Sequence, residues 1–246
     1  MRKESLIVKG DPLATLKACG GYYKSPQDKE GKFLGPLVAY AGTYPTENGP
    51  KNYVGYEYFN FSRAESEATV RQYFAALIGE KIKSYAGCGL RGCDVFLGAP
   101  MGGILLATEI GSYLKCPTIF AEKKIIALAD PEKGFKEESH QVIDRHEIKA
   151  GSNVVIVEDI CNNFSTTEKL KTLIENHGGK LVAIVCAFNR SGKPSWHGIP
   201  VISALAVEAQ QFKQVEPEVV ELIKRSNIVW KPKFGWSSLA AAMESK

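Results

Sequence analysis

The sequence lacks closely spaced cysteines. Its six cysteines are scattered over 246 residues, and no two of them form a C-x-x-C pair. Because zinc sites and redox motifs use such pairs, their absence favours isolated, reduced thiols of the kind found in cytoplasmic proteins. The six are Cys19, Cys88, Cys93, Cys116, Cys161 and Cys186.

Long apolar runs are also missing. A membrane helix needs about 18 consecutive apolar residues, and the sequence holds no such run. The N-terminal segment has only a three-residue apolar run before Lys9, whereas a signal peptide needs a longer apolar core. The sequence therefore predicts a cytoplasmic protein without a membrane partner.

Charge of one sign is nowhere concentrated. The formal net charge is +4, from 31 lysines and arginines against 27 acidic residues, and the two signs are mixed along the chain. Nucleic-acid-binding proteins usually concentrate basic residues on one face, so we expect no nucleic-acid partner. The charge distribution does not exclude small anionic ligands such as phosphates. With 44% hydrophobic residues, the chain can bury a real core, as one large domain or a domain with an appendage.

What is present is a repeated strand–loop–helix order. The pattern predicts a strand over Val95–Leu97, a glycine-rich turn over Gly98–Gly103 and a helix over Ile104–Leu114. Residues 153–157 and 166–177 repeat the strand and the helix. The short strands are almost wholly apolar, which is typical of a parallel sheet that is covered on both faces. The sequence therefore predicts an α/β fold, with a central, mainly parallel sheet flanked by helices.

Further segments frame these two units. LGPLVAYAGTY and NYVGYEYFNF alternate well enough for short antiparallel strands, and residues 62–84 predict one helix with a capping box of Ser62 and Glu65. Residues 123–151 are a long polar connection, which is usually functional or mobile; the alternative is a surface hairpin without function. Near the C-terminus we expect an apolar helix, anchored by Trp230 and Trp236.

Two adjacent acids stand out in NVVIVEDICNNFSTTEKL, residues 153–170. Glu158 and Asp159 directly follow the apolar strand, and ligands of parallel sheets sit beyond the carboxyl ends of strands. Ser165 and Glu168 form an S-x-x-E box, and a helix N-terminus at that point favours a phosphate. This arrangement suits a sugar phosphate, from whose hydroxyls the carboxylates would accept hydrogen bonds. In the alternative interpretation, the acids only end a strand and the box only caps a helix.

The stretch VVIVEDICNNFSTT resembles the 5-phosphoribosyl 1-diphosphate (PRPP) motif of type I phosphoribosyltransferases, in which apolar residues precede two acids and a phosphate loop. FLGAPMGGILLATEIG is similar to the family's pyrophosphate loop and its helix, and FAEKK and FNRSG are similar to segments of its orotate-type members. The resemblance implies a type I phosphoribosyltransferase-like fold, with an N-terminal hood at residues 1–60, a core at 61–210 and a C-terminal helical tail at 211–246. A flexible closing loop is implied at about 124–150.

The resemblance also implies roles for individual residues. Glu158 and Asp159 would hold the ribose 2- and 3-hydroxyls of PRPP, Lys123 would lie near the departing pyrophosphate, and Arg190 would bind the base. The closing loop would supply catalytic groups, for which the candidates are Lys133, Lys136 and His140. The pyrophosphate loop would consist of Ala99, Pro100, Met101, Gly102 and Gly103. The 5-phosphate loop would consist of Asn162, Asn163, Phe164, Ser165 and Thr166.

Taken together, these roles imply an orotate phosphoribosyltransferase-like enzyme, which makes orotidine 5-monophosphate and pyrophosphate from orotate and PRPP. The family resemblance further implies a homodimer and a Mg²⁺ cofactor that is held mainly through PRPP. The sequence departs from the family at Asn162–Phe164, where Thr-Thr-Gly is usual, and at Glu122, where the orotate enzymes often carry arginine. Two alternatives stay open: a phosphoribosyltransferase for another base, and a non-catalytic regulatory protein that binds PRPP or a nucleotide.

Overall fold

The computed structural model describes residues 7–85, 92–127 and 138–244. The strands in these ranges are β1 (Tyr22–Lys24), β2 (Leu37–Tyr44), β3 (Lys51–Gly55), β4 (Glu57–Phe59), β5 (Val95–Gly98), β6 (Thr118–Phe120), β7 (Glu122–Ala127), β8 (Glu138–Val142), β9 (Asn153–Cys161), β10 (Lys180–Asn189), β11 (Ser195–Trp196), β12 (Ile199–Ala206) and β13 (Ile228–Val229). The helices are α1 (Pro12–Ala18), α2 (Ser62–Glu65), α3 (Ala68–Ser84), α4 (Gly103–Leu114), α5 (Ser165–Asn176), α6 (Pro217–Lys224) and α7 (Trp236–Glu244).

Six strands form the central sheet, in the order β11-β12-β10-β9-β5-β6. Neighbouring strands run parallel, apart from β11, which is antiparallel to β12. Successive residues of a strand point to opposite faces: Val155 and Val157 pack with α3 and α4, whereas Val154 and Ile156 pack with α5. The predicted α/β fold, with a mainly parallel sheet covered on both faces, is confirmed.

The direction in which the chain crosses the sheet reverses between β5 and β9. From β5 the chain passes to β6 on one side, and from β9 it passes to β10 on the other. Pairing of β5 with β9 ends at Gly98 and Val157, whereas β9 stays paired with β10 as far as Cys161. The expected end of this strand at residue 157 is therefore wrong, because β10 carries the pairing onward. Glu158 and Asp159 lie inside β9, where its edge toward β5 is open.

The helix predicted over residues 62–84 is interrupted. It is divided into α2 and α3, because Glu67 has an extended backbone with φ −95° and ψ 114°. The predicted capping box is wrong: the Ser62 hydroxyl donates to Asn60 Oδ1, and no described side chain accepts a capping hydrogen bond from α2. At the break, Arg71 Nη1 donates to the Glu65 carbonyl oxygen at 2.6 Å, which satisfies a backbone acceptor that a continuous helix would have paired internally.

Both ends of the described chain meet in a second, smaller sheet. Strand β2 pairs antiparallel with β3, as the sequence predicted, and parallel with β13 from near the C-terminus. Helix α7 packs over this region, with Leu239 fully buried among Tyr23, Val38 and Tyr40. Strand β1 pairs separately with β4. The N-terminal strands and the C-terminal tail therefore share one core.

A ribbon of β7 and β8 borders the segment that was expected to close over the site. The two strands pair antiparallel, with Lys124 opposite His140. Of the three candidate lid residues, Lys133 and Lys136 lie outside the described residues. Across the parts of the chain that are described, no helix is both long and apolar enough to cross a membrane.

Candidate active site

The acid pair lies against the turn that follows β5. Glu158 is buried with 8% of its surface exposed, and Asp159 is partly exposed. A methyl group placed on Gly102 would lie 2.3 Å from Asp159 Oδ2, and one on Gly103 would lie 2.0 Å from the Val157 carbonyl oxygen. At Gly103 a Cβ atom would collide with the backbone of β9, and at Gly102 it would displace the Asp159 carboxylate. The structure brings the two predicted elements, turn and acids, into direct contact.

Backbone hydrogen bonds fix the turn formed by residues 99–103. The Ala99 N–H donates to the Val157 carbonyl at 2.9 Å, and the Gly103 N–H donates to the Ala99 carbonyl at 3.0 Å. The peptide bond between Pro100 and Met101 is cis. Met101 has 82% of its surface exposed, so the middle of the turn faces outward beside Asp159.

The loop of residues 162–166 leads from β9 into α5, and its capping differs from the prediction. Phe164 occupies the N-cap position with φ 57° and ψ 18°, and no described side chain caps the helix. The predicted capping box of Ser165 and Glu168 is therefore wrong, because Ser165 already belongs to the helix and its hydroxyl donates to Asn163 Oδ1 at 3.2 Å. The first turn of α5 thus keeps backbone donors that can bind an anion.

The Phe164 ring packs into the core beneath this loop. It is 6% exposed and stacks on Trp196, with the ring centroids 5.8 Å apart and an interplanar angle of 25°. Phe164 is one of the residues at which the sequence departs from the usual Thr-Thr-Gly of the family. Because the ring points into the protein, the backbone of the loop is the part that stays available to a ligand.

Burial and mutual repulsion dominate the electrostatics of the acids. Burial, and then the charge of Asp159, raise the pKa of Glu158 well above its usual value. Burial also raises the pKa of Asp159, while Lys233 and a hydrogen bond from the Ile160 N–H act in the opposite direction. Two carboxylates in a poorly hydrated site favour a cationic ligand group, because its positive charge offsets both the cost of burying the acids and their mutual repulsion.

Three further residues face the pair from other elements. Glu65 of α2 has a raised pKa, owing to burial and then to the charge of Asp159. Burial and the same charge raise the pKa of Tyr58 in β4 to about 12. Lys233, in the turn before α7, lowers the pKa of Glu65 and of both acids. Sequence reasoning missed all three, since nothing in their local sequence indicates that they meet β9.

Lys123 and His140 lie on the β7–β8 ribbon. Lys123 is exposed and opposite Gln141, next to the pair formed by Lys124 and His140. The adjacent Glu122, at which orotate enzymes often carry arginine, has its Oε1 3.1 Å from the guanidinium Nε of Arg145. The structure therefore offers a local partner for the negative charge of Glu122.

Arg190 directly follows β10 and lies inside the contact between the N-terminal strands and the core. It is 2% exposed, and its Nη2 donates to the Tyr40 hydroxyl at 3.1 Å and to the Glu57 carbonyl at 3.3 Å. Its guanidinium lies 4.9 Å from the Tyr40 ring centroid and 4.7 Å from that of Phe59. The Arg190 Nε finds no hydrogen-bond partner among the described residues. The sequence indicated this arginine, but not the aromatic residues that cover it.

The described residues do not build a metal site of their own. Nowhere in the described ranges do three or more His, Cys, Asp or Glu side chains come together in a way that could hold a metal ion. Magnesium is commonly bound by one or two carboxylates together with waters and substrate phosphates, so the acid pair could supply only part of its coordination.

Comparison with known proteins identifies the family to which the chain belongs. Residues 70–218, more than half of the chain, match the family model described as "Phosphoribosyl transferase domain". Among curated proteins, the chain is 27% identical to an orotate phosphoribosyltransferase of Caldicellulosiruptor bescii and 28% identical to one of Heliobacterium modesticaldum, over 139 residues in each case. Each match covers 56% of this chain and 65% of the relative, so the chain spans just under two thirds of these relatives' length.

Solved structures of related proteins were also found. The orotate phosphoribosyltransferase of Aeropyrum pernix superposes with a TM-score of 0.49 at 14% identity, covering 78% of this chain and 91% of that chain. The adenine phosphoribosyltransferase of Thermoanaerobacter pseudethanolicus superposes with a TM-score of 0.46 at 17% identity, covering 68% of this chain and 95% of that chain.

Proposed function

This chain belongs to the phosphoribosyl transferase domain family, and from that premise we propose that it transfers the ribose 5-phosphate of PRPP to orotate, giving orotidine 5-monophosphate and pyrophosphate. One observation carries the proposal: the 99–103 turn touches the carboxylate of Asp159 at the point where the strand order reverses. Ligands of open α/β sheets bind in the crevice at such a point.

In this proposal, Glu158 and Asp159 bind the ribose. Their carboxylates accept hydrogen bonds from the 2- and 3-hydroxyls, and the C1–O bond of PRPP then breaks with positive charge developing on the sugar. Because Glu158 is buried, its ionised form is poorly screened, so that negative charge and the cationic sugar stabilise each other. The same two residues therefore orient the ribose and stabilise the transition state.

The two loops hold the anionic ends of PRPP on either side of the acids. Backbone N–H groups of the 162–166 loop, with the hydroxyls of Ser165 and Thr166, bind the 5-phosphate at the N-terminus of α5. We assign the pyrophosphate to the 99–103 turn. The contact of Gly102 with Asp159 supports this assignment, because a ribose bound by Asp159 would then have its C1 beside the turn. Lys123, on the β7–β8 ribbon, supplies positive charge to the leaving group.

Support for orotate as the base comes from two observations. The curated relatives at 27% and 28% identity are named orotate phosphoribosyltransferases. Arg190 carries a buried Nε donor that no described residue accepts, and a guanidinium fork suits the carboxylate and ring oxygens of orotate. Because Tyr40 and Phe59 cover the guanidinium, the base reaches it only when the N-terminal strands shift.

Magnesium and a second subunit complete the proposal. Since the described residues build no metal cage, magnesium enters as the complex with PRPP, and its charge offsets that of the pyrophosphate. A homodimer is proposed as the active species, and its size in solution can be measured by light scattering.

Product analysis tests this function. Purified protein is incubated with PRPP and magnesium and, in separate reactions, with orotate, adenine or hypoxanthine. The nucleotides formed are then separated and identified by mass spectrometry. We expect orotidine 5-monophosphate from orotate and no nucleotide from the purines. A purine nucleotide would assign the enzyme to another base. Thermal stabilisation by PRPP without any nucleotide product would indicate the regulatory alternative.

A further inference from the structure

Phe164 has a backbone conformation that glycine adopts far more readily. Its φ of 57° and ψ of 18° lie in the left-handed region, at the residue immediately before α5. A Cβ atom disfavours this region for most residues other than glycine, asparagine and aspartate. Contacts of the buried Phe164 side chain would offset the cost of this conformation.

Trp196 of β11 makes such a contact. The Phe164 and Trp196 rings stack at 5.8 Å, and both side chains are buried, with 6% and 9% of their surfaces exposed. They share a cluster with Leu170 of α5. Trp196 is fixed in turn by β12, on which it pairs with Ile199. The stack thus joins the residue before α5 to the edge of the central sheet.

The neighbours of Phe164 are also held in place. A methyl group on Gly42 of β2 would lie 3.4 Å from Asn163 Nδ2, which shows that Asn163 lies close against the N-terminal sheet. Asn163 in turn accepts a hydrogen bond from the Ser165 hydroxyl at 3.2 Å. Because Phe164 connects these two residues, its φ and ψ angles set the direction in which the N–H groups of the loop point.

We propose that Trp196 is a positioning residue for a sugar 5-phosphate: by stacking on Phe164 it holds the 162–166 loop in the conformation that presents its backbone N–H groups to the anion. The proposal rests on the proposed function, which assigns the 5-phosphate to this loop. Here packing provides the left-handed conformation that a glycine provides by lacking a Cβ atom. Trp196 itself does not touch the ligand.

Two substitutions that remove the same ring test the backbone requirement. Phe164→Ala keeps a Cβ atom, whereas Phe164→Gly does not, and both lose the stack. Binding of ribose 5-phosphate and of magnesium PRPP is measured by isothermal titration calorimetry. We expect the Kd of the alanine variant to rise about tenfold, and that of the glycine variant to stay within about threefold of wild type. Equal Kd values for the two variants would overturn the proposal.

A double-mutant cycle tests the part played by Trp196. Trp196→Ala should raise the Kd for both ligands about tenfold in the wild-type background, and by less than about twofold in the Phe164→Gly background, where the stack is already lost. At saturating PRPP, the rate of transfer should equal that of wild type. An equal rise in both backgrounds would make Trp196 a merely structural residue and would overturn the proposal.

Controls separate the possible failures. Trp196→Phe keeps an aromatic face and should bind nearly as wild type, and Trp230→Ala, at a half-exposed tryptophan, should not change binding. If Trp196→Ala does not fold by circular dichroism, Trp196→Leu replaces it under the same criteria. Wild-type protein that binds neither ligand would overturn the proposed function together with this inference. If wild-type protein binds the ligands and neither Trp196→Ala nor Trp196→Leu changes the Kd, this inference alone is overturned.

Discussion

Glu158 and Asp159 are adjacent residues, and burial is the largest cause of the raised pKa of each. Glu158 is buried and Asp159 is partly exposed, although both side chains belong to the same strand. The pKa of Glu158 is raised, first by burial and then by its neighbour. The protein therefore keeps a carboxyl group in a place where its ionised form is unfavourable, which is common at functional sites.

Replacing Glu158 by glutamine should stabilise the protein in a pH-dependent way. Because the pKa is raised in the folded state, the native protein keeps this proton at pH values where the unfolded chain has lost it. Stability from this group is therefore fully present below the ordinary pKa of 4.5 and is lost as pH rises toward the folded pKa. The Tm of Glu158→Gln, relative to wild type, should rise as pH increases from about 4 to about 8.

The control for this experiment is Glu47→Gln, at an exposed position. Its Tm difference from wild type should be close to zero and independent of pH. If the Tm difference between Glu158→Gln and wild type does not change with pH, burial does not raise the pKa of this carboxyl group.

At the residue scale, the sequence indicated which side chains carry the chemistry, but not how they are oriented. The acid pair and the glycines of the 99–103 turn were recognisable because their residue types and order are unusual. The inward orientation of the Phe164 ring could not be predicted, since its partner Trp196 lies on a separate edge strand. The two capping boxes were wrong because Ser62 and Ser165 hydrogen-bond to nearby asparagine side chains instead.

At the scale of elements, the turn before α7 brings a cation to the acid pair. Residues 231–235 are closed by hydrogen bonds from the Phe234 and Gly235 N–H groups to the Lys231 carbonyl, both at 3.0 Å. Trp236, the first residue of α7, packs on Tyr58 with ring centroids 6.1 Å apart. The turn is thus anchored beside β4, and its Lys233 opposes the burial-driven rise in the pKa of both acids.

Replacing Lys233 by methionine should narrow the pH range of activity. Without this charge, the pKa values of Glu158 and Asp159 rise further, so the carboxylates become protonated at higher pH and accept hydroxyl hydrogen bonds less well. The acidic limb of the kcat/KM profile for PRPP should move to higher pH. Lys233→Arg should keep the wild-type profile, and so should Lys231→Met, at an exposed lysine of the same turn. Equal profiles for Lys233→Met and Lys231→Met would exclude this role.

Element types were predictable from local pattern, whereas their ends were not. The apolar runs of β5 and β9 and the periodic helices α4 and α5 follow the predicted order. The end of β9 depends on β10, and the break between α2 and α3 depends on Arg71 and Glu67. Such contacts between segments outweigh local propensity.

At the scale of the whole molecule, the two ends of the chain support each other. The predicted division into an N-terminal region, a core and a tail follows the sequence order, but β13 of the tail pairs with β2 near the N-terminus. A pairing between segments so far apart leaves no local signal in the sequence. The tail therefore belongs to the same packed unit as the N-terminal strands.

Leu239→Ala should test this contact between the two ends. Leu239 is fully buried among residues of the N-terminal strands, so its truncation should reduce the free energy of unfolding by about 2–5 kcal/mol. Denaturant titration measures this change. Ser237→Ala, at an exposed position of the same helix, should have little effect, and a similarly small effect of Leu239→Ala would show that α7 is not docked.

The central claim is that the acid pair of β9 acts on the ribose of PRPP. The most direct test is the rate of PRPP-dependent orotate consumption by wild-type protein and by Asp159→Asn, with circular dichroism to confirm an unchanged fold. This account predicts transfer by wild type and a loss of about 100-fold or more in the variant, because a preorganised charge at the reacting sugar is removed. Equal rates in the two proteins would contradict it.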